Sequence, residues 1–203
     1  ELALGERLNH RPVLAEDERA EYVRDALNLN LVRTTDHVKP YNSPDHVNTA
    51  EDAALLDAIG AEHGERPGVI TTTTALDEYD AAEVVDPDRD EHGTLTGDVS
   101  GGSAGAVRWY GNVLGSNKFK ETRVGAVIGS NHYGDGFIKK WGAYAGEAVE
   151  RDGDEKGADL SYTGIGDEIL THMREHDTLQ AAMRFGRDGN GAVVYVHTNT
   201  LPD

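Results

Sequence analysis

Apolar positions along the chain change their period near residue 66. Before it, Ala20, Val23, Ala26 and Leu27 recur at helical spacing over Glu16 to Leu29, and Ala53, Leu55, Leu56 and Ile59 do so ahead of Gly60. Asn48 or Thr49 is placed to cap the second of these helices, and the prolines of Lys39-Pro40-Tyr41-Asn42-Ser43-Pro44 mark a linker between the two. After Arg66-Pro67-Gly68, short β-branched runs take over: Gly68 to Thr74 (GVITTTT), Ala106 to Tyr110, Val124 to Ile128 and Ala192 to His197. Helical patterns begin at Ala75 and cover Gly136 to Val149 and Gly166 to Phe185, while Asp86 to Gly105 reads as a mobile Asp- and Gly-rich loop and 151–159 as a charged one. Strands that are apolar on both faces and alternate with helices predict an α/β fold. The expectation is a three-layer domain with a mainly parallel sheet over residues 67–203, preceded by a helical segment or linker over residues 1–66.

Composition narrows the setting. The chain has 203 residues, 37 of them Asp or Glu against 19 Lys or Arg, for a formal net charge of −18. A surface of that kind repels itself at low salt and is best tolerated where salt screens it, which points to a salty cytoplasm. With no cysteine, disulfides and thiolate metal sites are excluded. No apolar run approaches the roughly 20 residues of a membrane span and no signal peptide opens the chain, so a cytoplasmic protein without a membrane partner is expected. The chain starts at Glu1 without an initiator methionine and is expected to be a piece of a longer polypeptide.

Positive charge is not spread evenly. Residues 108–140 carry Arg108, Lys118, Lys120, Arg123, Lys139 and Lys140 against Glu121 and Asp135, a net +4 that leaves −22 for the remainder. Such an island is a candidate anion site. Within it, YGNVLGSNKF combines Gly111 and Gly115 with Asn112, Ser116 and Asn117, then Lys118 and Lys120, a composition suited either to a turn or to a loop that grips an anion. Ligands of three-layer α/β domains sit at the carboxyl ends of strands. Those ends here are Thr71 to Thr74, Tyr110-Gly111-Asn112 and Gly129-Ser130-Asn131, all small, hydroxylated or amide-bearing.

The stretch QAAMRFGR, 180–187, places Gln180, Arg184 and Arg187 at i, i+4 and i+7 of a helix. Arginine's rigid fork suits phosphate oxygens, although Asp188 or Glu168 could equally pair with these two on the surface. The stretch resembles motif VI, Q-x-x-G-R-x-x-R, of superfamily 2 helicases, with Met183 where that pattern has glycine. GVITTTT resembles the first strand of their second RecA-like lobe, YGNVLGSNKFKETRVGAVIG occupies the place of motif V, and AVVYVHT the closing strand. The resemblance covers about residues 66–203 and suggests the C-terminal lobe of a haloarchaeal helicase-like protein. It implies that Arg187, beside Arg184 and Gln180, reaches a nucleotide phosphate as an arginine finger. It also implies that Thr72, Thr73, Asn112, Ser116, Asn117, Lys118 and Lys120 track a nucleic-acid strand, DNA in preference to RNA.

No G-x-x-x-x-G-K-[ST] occurs in the chain, so ATP and Mg2+ would be held mainly by an upstream lobe that these residues do not include, and the fragment alone would be inactive. Two other classes are open. One is a non-catalytic α/β module of a replication protein that binds nucleic acid or a partner through the 108–140 island. The other is a zinc hydrolase using His172, Glu175 and His176 of HMREH, which lacks any downstream glutamate to complete the ligand set; no metal site is assigned.

Overall fold

The structure, a computed structural model, describes residues 15–113 and 115–201. Helix α1 (Glu16–Glu21) passes into a π-helical turn at Tyr22–Ala26, and Leu29–Arg33 forms strand β1. The Asn48 side chain accepts from the Glu51 amide and starts α2 (Thr49–His63), which Gly64 closes in the left-handed conformation at φ 70°. Strand β2 (Gly68–Thr71) is buried throughout and stops where Thr72 caps α3 (Thr73–Ala81). An antiparallel pair, β3 (Val85–Arg89) and β4 (Leu95–Gly102), leads to β5 (Val107–Trp109) and β6 (Val124–Ile128). Helix α4 (Asp135–Ala145), the two-residue pair β7 (Arg151–Asp152) and β8 (Ser161–Tyr162), helix α5 (Gly166–Ala182) and strand β9 (Ala192–His197) complete the order.

Strands β1, β9, β6, β2 and β5 lie side by side in that order, and every neighbouring pair is parallel. Because strand side chains alternate, consecutive apolar residues serve opposite faces. Val69 and Ala126 pack with Leu56 and Ile59 of α2 and Leu76 and Tyr79 of α3. Ile70, Val127, Val194 and Val196 pack with Ala181 and Ala182 of α5 and with Phe119 and Phe185. A satellite cluster of Ile138, Ile169, Leu170, Val149 and Tyr162 joins α4, α5 and β8. The protein is therefore a three-layer α/β domain with a five-stranded parallel sheet, an arrangement consistent with a RecA-like fold.

Several local expectations change. Residues 86–105 are not a loop: β3 and β4 pair there, with register irregularities on both sides of Pro87. Proline, bulges and glycines hid the alternation that marks a strand. Leu29–Arg33 is a strand rather than the end of a helix, because β9, its sheet neighbour among the described residues, supplies the hydrogen bonds that its short sequence does not advertise. The division expected at residue 66 falls between α2 and β2, both part of this layered core. Helix α4 ends at Ala145, since Gly146 turns left-handed at φ 84°, and α5 ends at Ala182, before Gly186 at φ 60°. The helix expected from Glu16 begins as expected but widens into the π-turn at Tyr22–Ala26; residues before 15 lie outside the described part.

Phe185 drops into the sheet at Gly125, where an added Cβ would lie 2.7 Å from its ring. Phe119 packs over Gly68 on the neighbouring strand and meets that ring at a centroid distance of 4.8 Å. Gly125→Ala should therefore overpack the core and lower the unfolding free energy by about 1–3 kcal/mol, measured by urea denaturation; an unchanged midpoint would contradict this packing.

Candidate functional site

The chain leaves β2 toward α3 on one face of the sheet and leaves β6 toward α4 and α5 on the other. The carboxyl ends of β2 and β6, adjacent in the sheet, are thus the point where crossovers diverge and a crevice must open. A cleft of about 490 Å3 lies there. Thr72, Thr73 and Thr74 line it from the start of α3, Trp109, Tyr110 and Gly111 from the end of β5, and Asn131 and His132 from the end of β6, with Tyr41 and Asn42 closing it. None of these residues is acidic, in a chain carrying 37 Asp and Glu, so an anion entering the cleft meets hydroxyl and amide groups rather than local repulsion.

Most lining side chains are held in place. The Thr72 hydroxyl donates to the Tyr41 carbonyl at 2.7 Å and accepts from the Ala75 amide at 3.1 Å, while Thr73 beside it is exposed. The Tyr110 hydroxyl donates to the Gly129 carbonyl at 2.5 Å. Asn131 donates its amide to Asp177 at 2.8 Å, and the Tyr133 hydroxyl donates to the same carboxylate. Burial pushes both tyrosines above their ordinary range, helped for Tyr133 by hydrogen bonding to Asp177, so both stay protonated donors. His132 is driven down by burial, then by the charges of Arg174 and Arg151, and is neutral at pH 7 with its Nδ1 buried and unpartnered.

Beneath Tyr41 lies a polar network that the pattern of apolar positions did not reveal. Asp52, fully buried on α2, accepts from the Tyr41 hydroxyl at 2.8 Å and from the Tyr79 hydroxyl at 2.8 Å. His197 at the end of β9 places Nε2 3.6 Å from Asp52 and 3.3 Å from Glu51, and its Nδ1 meets the Thr34 hydroxyl at 2.8 Å. The one available signal was an aspartate on the apolar side of a helical period.

The expected site residues separate into three places. Thr72 and Thr73 are in the cleft, and Asn112 follows Gly111 on its rim, exposed. Ser116, Asn117, Lys118 and Lys120 continue along the loop away from it, with the Ser116 hydroxyl accepting from the Lys118 amide at 3.2 Å. Lys118 pairs with Asp98 of β4, and Arg108 reaches the same carboxylate at 3.7 Å. Arg123 pairs with Asp188, and Lys139 with Glu150. Four of the six cations of the island that is net +4 in sequence, Arg108, Lys118, Arg123 and Lys139, thus meet carboxylates from outside it.

The Gln180–Arg184–Arg187 stripe is also divided. Gln180 hydrogen-bonds His176 and lines a small cavity of about 140 Å3 behind the cleft, with Tyr110, Gly111, Asn131 and Asp177. Arg184 and Arg187 lie past the end of α5, near the amino ends of the strands, where the Gly186 amide bonds the Thr122 carbonyl. Arg187 is off the helical stripe because the helix has ended. Asp188, one carboxylate expected to neutralise them, is occupied by Arg123 through two hydrogen bonds and held far below the usual carboxylate range. Among the described residues neither arginine forms an ion pair, and the Arg184 Nε is buried without a partner. Partial burial and the neighbouring Arg187 charge both push Arg184 down. The His172 and His176 rings stack at 6.1 Å, and among the described residues no three His, Asp or Glu side chains gather to hold a metal ion.

No family model, curated protein or solved structure matches this chain.

Asp52→Ala leaves two buried tyrosine hydroxyls without their acceptor and should cost on the order of 3 kcal/mol of stability. His197 is pushed below its ordinary value, first by burial and then by Lys39. Its folded form therefore resists protonation, so its contribution is present above about pH 6.5, the unfolded value, and is lost as pH falls through the folded one. Denaturant unfolding at pH 7.5 and 5.5 should show a smaller acid loss in His197→Gln than in wild type. Equal losses would remove His197 as a source of the pH dependence; His132, shifted the same way, supplies a residual slope.

Proposed function

We propose that this domain is the second RecA-like lobe of an ATP-dependent nucleic-acid translocase or helicase, acting on DNA in preference to RNA. The observation that carries this reading is the state of Arg184 and Arg187. In a chain of net charge −18, Arg24, Arg89, Arg123, Lys39, Lys118 and Lys139 all find carboxylates. Arg184 and Arg187 stand side by side and unpaired among the described residues, repelling each other. Two adjacent guanidinium groups kept free of carboxylates suit an anion from outside the domain, and a nucleotide γ-phosphate presented by a separate ATP- and Mg2+-binding lobe has the required charge.

The cleft supports the same assignment from the opposite end of the sheet. Thr73, Gly111, Asn112 and Asn131 offer donors of low bulk at a crevice free of acidic lining, which suits the backbone of a nucleic-acid strand. Gln180, between the cleft and the arginines, would couple one to the other. A non-catalytic nucleic-acid-binding module would use the cleft alone and make no demand on Arg187.

In the polypeptide that includes the ATP-binding lobe, Arg187→Ala should reduce nucleic-acid-stimulated ATP hydrolysis by about 10^3-fold or more, with unchanged thermal unfolding and retained strand binding. Normal turnover in that variant would reject the arginine-finger role and leave the binding-module reading.

A further inference from the structure

A second group of cations stands apart from both the cleft and the arginine pair. Arg174, on α5, is only 6% exposed. Its one hydrogen bond runs from Nη2 to the Gly157 carbonyl at 3.3 Å, its Nε is buried and unpartnered, and it makes no ion pair among the described residues. Burying a guanidinium without a counter-charge is costly, and burial accordingly lowers its proton affinity. Gly157 belongs to the wall of a cavity of about 340 Å3, which His46, His132, Arg151 and Lys156 also line. Arg151 too has a buried, unpartnered Nε; its Nη2 lies 3.6 Å from Asp135. Asp45 is the carboxylate on the cavity wall, and Asp135 also accepts from the Tyr162 hydroxyl. Neither neutralises Arg174.

The cavity thus has a polar, partly cationic wall with one buried cation, Arg174, that has no counter-charge among the described residues. Gly157, at φ 68°, allows the His46 ring to lie against the backbone, where a Cβ would come within 3.2 Å of it. That contact seats His46 on the wall, while Asn42 and Ser43 add further polar groups. We infer that this cavity binds a phosphate-class oxyanion, with Arg174, Arg151 and Lys156 supplying the charge. Arg151 and Lys156 line the cavity, and Arg174 stands behind its wall with a hydrogen bond to the Gly157 carbonyl, against Asp45 on the wall and Asp135 beside Arg151. The oxyanion could be free phosphate, a phosphomonoester or a phosphodiester of a strand leaving the adjoining cleft, which shares Asn42 and His132 with this cavity. The inference does not depend on the role proposed for Arg187.

Thermal unfolding with millimolar inorganic phosphate, against chloride at matched ionic strength, tests it. Wild type should gain about 3 °C or more at saturation. Arg174→Met removes the unpaired buried cation at similar volume, so it should be at least as stable as wild type without phosphate and lose the phosphate response; Lys156→Gln, at the cavity wall, serves if that variant fails to fold. A wild type indifferent to phosphate, or a folded variant that keeps the full response, overturns the site. A single-stranded oligonucleotide identifies the source: if its affinity falls together with the phosphate response, the ligand is a backbone phosphodiester, and if it holds, the ligand is a free phosphate or phosphomonoester. Arg187→Ala should leave the phosphate response intact.

Discussion

The Asp52 carboxylate, buried between the sheet and α2, ties together four segments through one polar network. It accepts from Tyr41 in the proline-bounded linker and Tyr79 in α3, and it lies beside His197 at the end of β9. Burial raises its proton affinity, and the two tyrosine hydroxyls offset part of that cost by donating to the charged form. The position of Tyr41 then sets the wall of the cleft. Its carbonyl receives the Thr72 hydroxyl that caps α3, and its ring presses on Gly129, where a Cβ would lie 2.6 Å away. A buried polar cluster of this kind is worthwhile only when complete, since removing one member strands the others. The cleft, the start of α3 and the end of β6 therefore share one support.

Charge distribution gives the second organising constraint. A surface this acidic repels itself, so a cation is readily neutralised by whichever acidic side chain is near, and about half of those among the described residues are paired. Against that background the exceptions are informative. Among the described residues Arg184 and Arg187 sit unpaired at one end of the sheet, and Arg174 lies buried without an ion pair beyond the other. Between them the cleft is neutral and rich in donors. These three regions lack an ion-pairing carboxylate among the described residues on a protein whose overall field opposes anions, so any anion there would be held by short-range contacts and be sensitive to screening by salt.

Legibility in the sequence followed the physics of each element. β6 and β9 were apparent as uninterrupted β-branched runs because both faces are buried, and the structure places them at Val124–Ile128 and Ala192–His197 as expected. The cleft's threonines, Gly111 and Asn131 were apparent because ligand crevices form at strand carboxyl ends. The β3–β4 pair was not, since Pro87 and the glycines of LTGDVSGG look like loop punctuation and the pairing is irregular. β1 was not, since an edge strand of five residues has a weak pattern of its own. Tyr41, Asp52 and Arg174 were invisible as site elements because their roles come from burial, a property of neighbours distant in the chain.

The sequence by itself determined the α/β class, the order of most strands and helices, the acidic surface and the identity of the groups at the strand ends. These follow from local periodicity, turn residues and composition. Only the tertiary structure decided which cations remain unpaired, because that depends on whether Asp98, Asp188 or Glu150 arrives from another segment. It also decided that the 180–187 stripe splits, with Gln180 behind the cleft and Arg187 past the helix end. Phe185 packed against Gly125 and Gly186 in the left-handed region stop the helix there, and neither constraint can be read from helical spacing.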